Sequence, residues 1–218
     1  MLDTAAARLN MVEGQLRTNG ITEPALLDAF LAIPRDRFVP EALRDSAYVD
    51  ADIPLGGGRY LIEPLVFGRL IQLAEVRARD RVLLVGAGTG YGAALLARLG
   101  ASVVALESDT RLAGAASRSL AELRIAGVKV VEGPLPRGYD AEAPYDALIF
   151  EGAVADVSAE LAGQLSEGGR AAAVLKPGAA VGQATAMTRI GSVLSRRPYF
   201  DAAAPVLPGF EAAPGFVF

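Results

Sequence analysis

Apolar residues recur along this chain in two different rhythms. Toward the start, Leu9, Val12 and Leu16 fall at helical spacing within residues 4–18. Leu26, Leu27, Phe30 and Leu31 mark the buried side of a second predicted helix, with Thr22 as its cap, Pro24 in its first turn and Pro34 at its end. Pro40 opens a short helix through Tyr48, and Pro64 opens another whose Val66, Phe67, Leu70, Ile71 and Leu73 face inward. Past residue 80 the rhythm changes to short, mostly apolar runs, at 82–85, 103–106, 128–131, 146–150 and 170–175. Helical stretches at 93–99, 110–126 and near 158–165 separate them. Runs of that kind predict parallel strands buried on both faces. Residues 181–200 predict two further strands turning at Gly191-Ser192, an antiparallel pair on the sheet edge. The tail is irregular but apolar enough to dock, with Pro205, Pro208 and Pro214 among Phe210, Phe216 and Phe218. The expected architecture is one α/β domain, a helical region over 1–63 followed by an alternating core over 64–218.

The first apolar run ends in a cluster of glycines. Val82, Leu83, Leu84 and Val85 lead into Gly86, Ala87, Gly88, Thr89, Gly90, Tyr91 and Gly92, and the next apolar run closes on Glu107. Strand, tight turn, helix, strand and terminal acid, in that order, form a nucleoside-binding βαβ unit. The glycines permit positive φ and close approach of a ligand, and the acid can accept both hydroxyls of a ribose. Dinucleotide enzymes favour G-x-G-x-x-G, whose third glycine would fall at Tyr91; a nicotinamide cofactor is therefore disfavoured. The G-x-G-x-G spacing present is common in methyltransferases that use S-adenosyl-L-methionine. A second glycine loop, Gly56-Gly57-Gly58, precedes the βαβ unit and is either a cover for the ligand or a plain surface connection.

Composition narrows the chemistry. The chain has 218 residues, 52% of them hydrophobic, which allows a substantial core and argues against disorder. With no cysteine and no histidine, disulfides, thiolate nucleophiles, histidine triads and ordinary zinc sites are excluded. A net charge of −4 without a basic run argues against a nucleic-acid partner. An early acid at Asp3 and the absence of a long apolar stretch predict neither a signal peptide nor a membrane span, and hence a cytoplasmic location.

Beyond the glycine motif, much of the chain resembles the protein-L-isoaspartate O-methyltransferase family. The resemblance rests on Met11 through Arg17, Ile33-Pro34-Arg35, Arg37 through Pro40, Ala47-Tyr48 and Ile53-Pro54-Leu55. It continues through residues 82–91, 143–147 and 164–170. It implies a Rossmann-like seven-stranded sheet, mostly parallel with an antiparallel last strand, helices on both faces and an N-terminal helical extension. It also implies methyl transfer from S-adenosyl-L-methionine to the carboxylate of isoaspartyl residues in a peptide or protein, with no metal. A carboxylate with a pKa near ~4 is already ionised at neutral pH, so the reaction needs alignment and dryness rather than a general base.

The implied cofactor residues are Glu63, Pro64, Gly86, Ala87, Gly88, Gly90, Glu107, Gly133 and Pro134; the implied acceptor residues are Ile62 and Arg59. Two positions depart from the family. Tyr60-Leu61-Ile62-Glu63-Pro64 stands where the family carries Thr-Ile-Ser-x-Pro, so Ile62 replaces a serine donor and Glu63 adds negative charge. Gly133-Pro134-Leu135 replaces Gly-Asp-Gly, removing an acid that would meet the adenine. A serine restored at 62 is expected to return a donor to the acceptor, and Arg59 is a candidate substitute for it. Two other functions stay open: methyl transfer to a different protein group or small molecule, and a non-catalytic cofactor- or partner-binding module.

Overall fold

The computed structural model describes residues 3–212. The N-terminal extension holds helix α1 (Thr4–Asn10), continued by a wide turn over Met11–Leu16 and a tight one over Arg17–Asn19, and helix α2 (Pro24–Ala32). A separate hairpin follows, β1 (Ile53–Gly56) against β2 (Arg59–Leu61), and then helix α3 (Pro64–Leu73). The alternating core runs β3 (Arg81–Val85), α4 (Tyr91–Arg98), β4 (Ser102–Glu107), α5 (Thr110–Glu122) and β5 (Val128–Glu132). It continues with β6 (Tyr145–Val154), α6 (Ala159–Gly163), β7 (Leu165–Leu175), β8 (Gln183–Ile190) and β9 (Val193–Asp201).

Seven strands form one sheet in the order β5-β4-β3-β6-β7-β8-β9. The pairings from β5 through β7 are parallel, and β8 pairs antiparallel with both β7 and β9. The expected Rossmann-like sheet with its terminal antiparallel pair is therefore present. Strand order reverses between β3 and β6, which creates a crevice at their carboxyl ends, where ligands of open α/β sheets bind.

Alternation along β3 divides the interior into two cores. Val82 and Leu84 pack with α2, α3, α4 and Leu112 and Leu120 of α5. Leu83 and Val85 face the other way, toward Leu148, Phe150, Leu161, Leu207 and Phe210. Among the described residues, the second face carries only the five-residue α6 and tight turns for helical cover. The segment 205–210 completes it: Leu207 is buried, and Phe210 packs edge-on against Phe150 at 5.7 Å between centroids. The tail docks as expected; Pro214, Phe216 and Phe218 lie outside the described residues.

Three local expectations change. Leu9 is exposed, while Met11, Val12 and Leu16 are buried, because the wide turn at Met11–Leu16 adds residues per turn and moves the apolar face out of phase. Thr22 does not cap α2; its backbone N–H donates 3.0 Å to Oε1 of Gln72, whose amide also takes Glu23 N–H and donates to Gly20 C=O. Strand β7 starts at Leu165, ahead of the Gly168-Gly169 pair expected to precede it, because Leu165 already pairs with Tyr145 of β6.

Arg35 fastens the extension to the rest. Fully buried, it donates to Ala47 C=O at 2.9 Å and to Ile62 C=O at 2.8 Å, and its guanidinium lies 5.0 Å from the Tyr91 ring centroid. Arg35→Ala leaves those buried carbonyls without donors and is expected to lower stability by about 3 kcal/mol, seen as a lower urea midpoint at unchanged slope. An unchanged midpoint would show that the extension is held by apolar packing alone.

Candidate active site

Three strand tips come level at the crevice. In the register of the sheet, Val85 pairs with Leu106 on one side and Phe150 on the other. The next residue on each strand is Gly86, Glu107 or Glu151, so two acids flank the first glycine of the loop. Gly86, Gly88 and Gly90 have φ of 80°, 55° and 94°, values in the region that favours glycine. Gly86 and Ala87 both donate to Leu106 C=O, and Gly90 stands at the start of α4.

Glu107 is fully buried and hydrogen-bonded at both oxygens. Oε1 accepts from the backbone N–H groups of Ser108 at 2.8 Å and Asp109 at 3.1 Å. Oε2 accepts from Gly88 N–H at 2.7 Å and from Nη2 of Arg59 at 2.9 Å. Arg59, only 4% exposed, also donates 3.0 Å to Gly86 C=O. Its guanidinium thus lies on the glycine loop beside Glu107.

Two leucines close the remaining space. A Cβ on Gly86 would lie 2.6 Å from Cδ2 of Leu207, and one on Gly152 would lie 2.7 Å from the same atom. Leu207 therefore plugs the reversal point between β3 and β6. It is held there because Ala153 N–H donates to Pro205 C=O and Leu207 N–H to Ala153 C=O, each at 2.8 Å. Leu55 of β1 lies over Gly88, 3.2 Å from an ideal Cβ there. The loop Gly56-Gly57-Gly58, expected either to cover a ligand or to connect elements, is the tip of the β1–β2 hairpin, and that hairpin covers the cofactor loop itself.

The expected site residues are thus partly united. Arg59, Gly86, Ala87, Gly88, Gly90 and Glu107 converge, and Gly133 adjoins them through its N–H on Glu107 C=O at 3.1 Å. Pro134 is exposed at the edge, and Leu135 is buried in the second core. Pro64 is buried at the start of α3. Glu63 groups with Asp50 and Asp52; burial, then those two charges, push its carboxyl up to about 7. The side chain of Ile62 is 1% exposed and packs in the first core, and Arg35 donates to the carbonyl of the same residue. Leu55, Leu207 and Glu151 were not expected as site residues. An acid directly following an apolar strand was a usable sign of Glu151; nothing in the irregular tail singled out Leu207.

Residues 7–189 match the family model described as Protein-L-isoaspartate(D-aspartate) O-methyltransferase (PCMT). A protein-L-isoaspartate O-methyltransferase of Methanoculleus marisnigri is 41% identical over 170 residues, 78% of this chain and 77% of that protein. One of Methylorubrum extorquens is 42% identical over 168 residues, 77% and 73% of the two chains. In three dimensions the chain is similar to a solved protein-L-isoaspartate O-methyltransferase, with a TM-score of 0.81 at 24% identity, covering 94% of this chain and 67% of that one. It is also similar to a Plasmodium falciparum structure in complex with S-adenosyl-L-homocysteine, with a TM-score of 0.76 at 17% identity, covering 95% and 99%. These two likenesses concern the fold.

Glu151 gives the site a measurable signature. Its side chain is buried beside Phe67 and Gly92, where a Cβ on Gly92 would lie 2.5 Å from Oε2. Burial pushes its carboxyl up to about 8, against the opposing pull of Arg35 and Arg59 and with a smaller push from Glu107. The folded protein therefore keeps a proton that an unfolded carboxyl, with a pKa near ~4.3, has released. Because the native state binds more protons, this group makes stability fall as pH rises from about 5 to about 8 and level off above that. Its expected slope is at most about 1.4 kcal/mol per pH unit. Denaturant titrations at stepped pH should show that fall in the wild type and a flatter profile in Glu151→Gln; equal profiles would refute the assignment.

Proposed function

The chain belongs to the protein-L-isoaspartate O-methyltransferase family, and from that membership we propose that it transfers the methyl group of S-adenosyl-L-methionine to the carboxylate of isoaspartyl residues in peptides and proteins. The observation that carries this reading is the convergence of the Gly86–Gly90 loop and Glu107 at the crevice where strand order reverses. The residue types fit the cofactor. Gly86 and Gly88 would offer bare backbone to the methionyl arm, Glu107 would accept from the ribose hydroxyls, and Gly133 and Pro134 would border the adenine. In the conformation described, Arg59, Leu55 and Leu207 occupy that space.

When bound, the cofactor supplies a methyl group activated by its sulfonium. The protein's part is to hold the acceptor carboxylate in line with that methyl and to exclude water. No proton need be removed from an acceptor already ionised, which suits a chain without histidine. Arg59 is the cation at the loop and the proposed partner of the acceptor carboxylate, a role for which its planar guanidinium is suited. No helix among the described residues is long and apolar enough to cross a membrane.

The test is methyl transfer from labelled S-adenosyl-L-methionine to an isoaspartyl peptide, with the ordinary aspartyl isomer as control. Label on the isoaspartyl peptide alone is the expected result. Label on neither peptide, with slow cofactor turnover in the presence of cell extract, would assign the chain a different acceptor. Ile62→Ser separates site from core. Since the side chain at 62 is buried, the serine is expected to lower stability by roughly 3 kcal/mol and to leave kcat/KM for the peptide unimproved. A faster Ile62→Ser enzyme would restore position 62 to the acceptor site.

A further inference from the structure

We propose that Arg59 is a latch: its ion pair with Glu107 holds the cofactor cleft shut, and S-adenosyl-L-methionine gains Glu107 only when the tip of the β1–β2 hairpin withdraws Arg59. The inference rests on the cofactor reading above and adds to it the regulation of the same cleft. Four observations carry it. Glu107 has no free oxygen: its bonds go to Gly88, Ser108, Asp109 and Arg59, and Arg59 is the only one of these partners supplied from outside the continuous segment β3 to α5. Removing Arg59 alone thus frees one lone-pair direction on Oε2 while the backbone donors continue to hold the carboxylate in place.

The latch is also incompletely satisfied. Nε of Arg59 is buried without a hydrogen-bond partner among the described residues, so the closed state carries a desolvation cost that withdrawal relieves. The hairpin is built to let go. Strand β2 is three residues long, its only sheet partner among the described residues is β1, and Arg59 directly follows the exposed Gly56-Gly57-Gly58, all at positive φ. A glycine tip absorbs the backbone rotation that swings Arg59 outward, and among the described residues an ideal Cβ on Gly56 or Gly57 would meet just the side-chain ends of Arg111 and Asp109, each at 3.5 Å. Finally, the same hairpin places Leu55 over Gly88, so one movement uncovers Gly88 and the acid together.

Charge is conserved through the exchange. Glu107 gives up a guanidinium and takes ribose hydroxyls, while Arg59 leaves as a cation with its donors free for the acceptor carboxylate. Cofactor first and acceptor second is the order this imposes, because Arg59 is unavailable to a carboxylate until Glu107 has released it.

The experiment is calorimetric titration of S-adenosyl-L-homocysteine into the wild type, Arg59→Gln and Arg59→Met, with hydrogen exchange on the wild type. The expected results are at least tenfold tighter binding by both variants and, on binding to the wild type, faster exchange over residues 53–61 with slower exchange over 86–92. Equal or weaker binding by the variants, with exchange over 53–61 unchanged or slowed, overturns the latch and leaves the cofactor reading standing. Absence of binding by wild type and by folded variants alike overturns both. Should neither variant fold, the exchange pattern of the wild type decides alone.

Discussion

The carboxylate of Glu107 is the point through which four separate pieces of chain are tied. It bonds the glycine loop through Gly88, the start of α5 through Ser108 and Asp109, and the β1–β2 hairpin through Arg59, from the tip of β4. A buried ion pair gains little net stability, because desolvation of both charges offsets their attraction. Its value here is positional. The three backbone donors hold Glu107 whether or not Arg59 is present, so the ion pair can be exchanged without unmaking the strand tip.

That node stands in a wider row of buried charge. Glu151, within β6, lies level with Glu107 at the end of β4, with Gly86 between them, and Arg35 lies on the Tyr91 ring at the start of α4. Buried polar atoms among these residues lack partners: Nη1 of Arg35, Nε of Arg59, Oη of Tyr91 and Oε2 of Glu151. Unsatisfied donors and acceptors of this kind cost free energy and concentrate where a protein keeps strain for use. The apolar shell pays for them: α3, α4 and α5 bury one face of the sheet, and Arg35 secures the N-terminal extension over it.

The second face is closed differently. Among the described residues only α6 and short turns lie on it as helical cover, and the chain returns after β9 to fill the gap with Leu207 and Phe210. The bridge between Ala153 and Val206 sets that return, and with it the position of Leu207 against Gly86 and Gly152. Core packing on one side and closure of the crevice on the other are thus performed by the same few residues. A change in the tail is felt at the glycine loop through direct contact, without any longer route.

The sequence by itself determined the elements whose signals are local. Short, mostly apolar runs showed the parallel strands, the glycine spacing and Glu107 showed the βαβ unit, and Gly191-Ser192 showed the terminal hairpin. Periodicity failed where the turn itself changed, as at Leu9, and capping residues failed where a distant side chain offered a better partner, as Gln72 does for Thr22. The state of the site was beyond such signals. Arg59 and Glu107 are 48 positions apart, and Leu207 lies farther still from Gly86. Which charge meets which, and which leucine fills which gap, depends on how hairpin, sheet and tail close on one another. Residue types showed what the crevice can hold; only the tertiary structure decided that the chain's own side chains fill it.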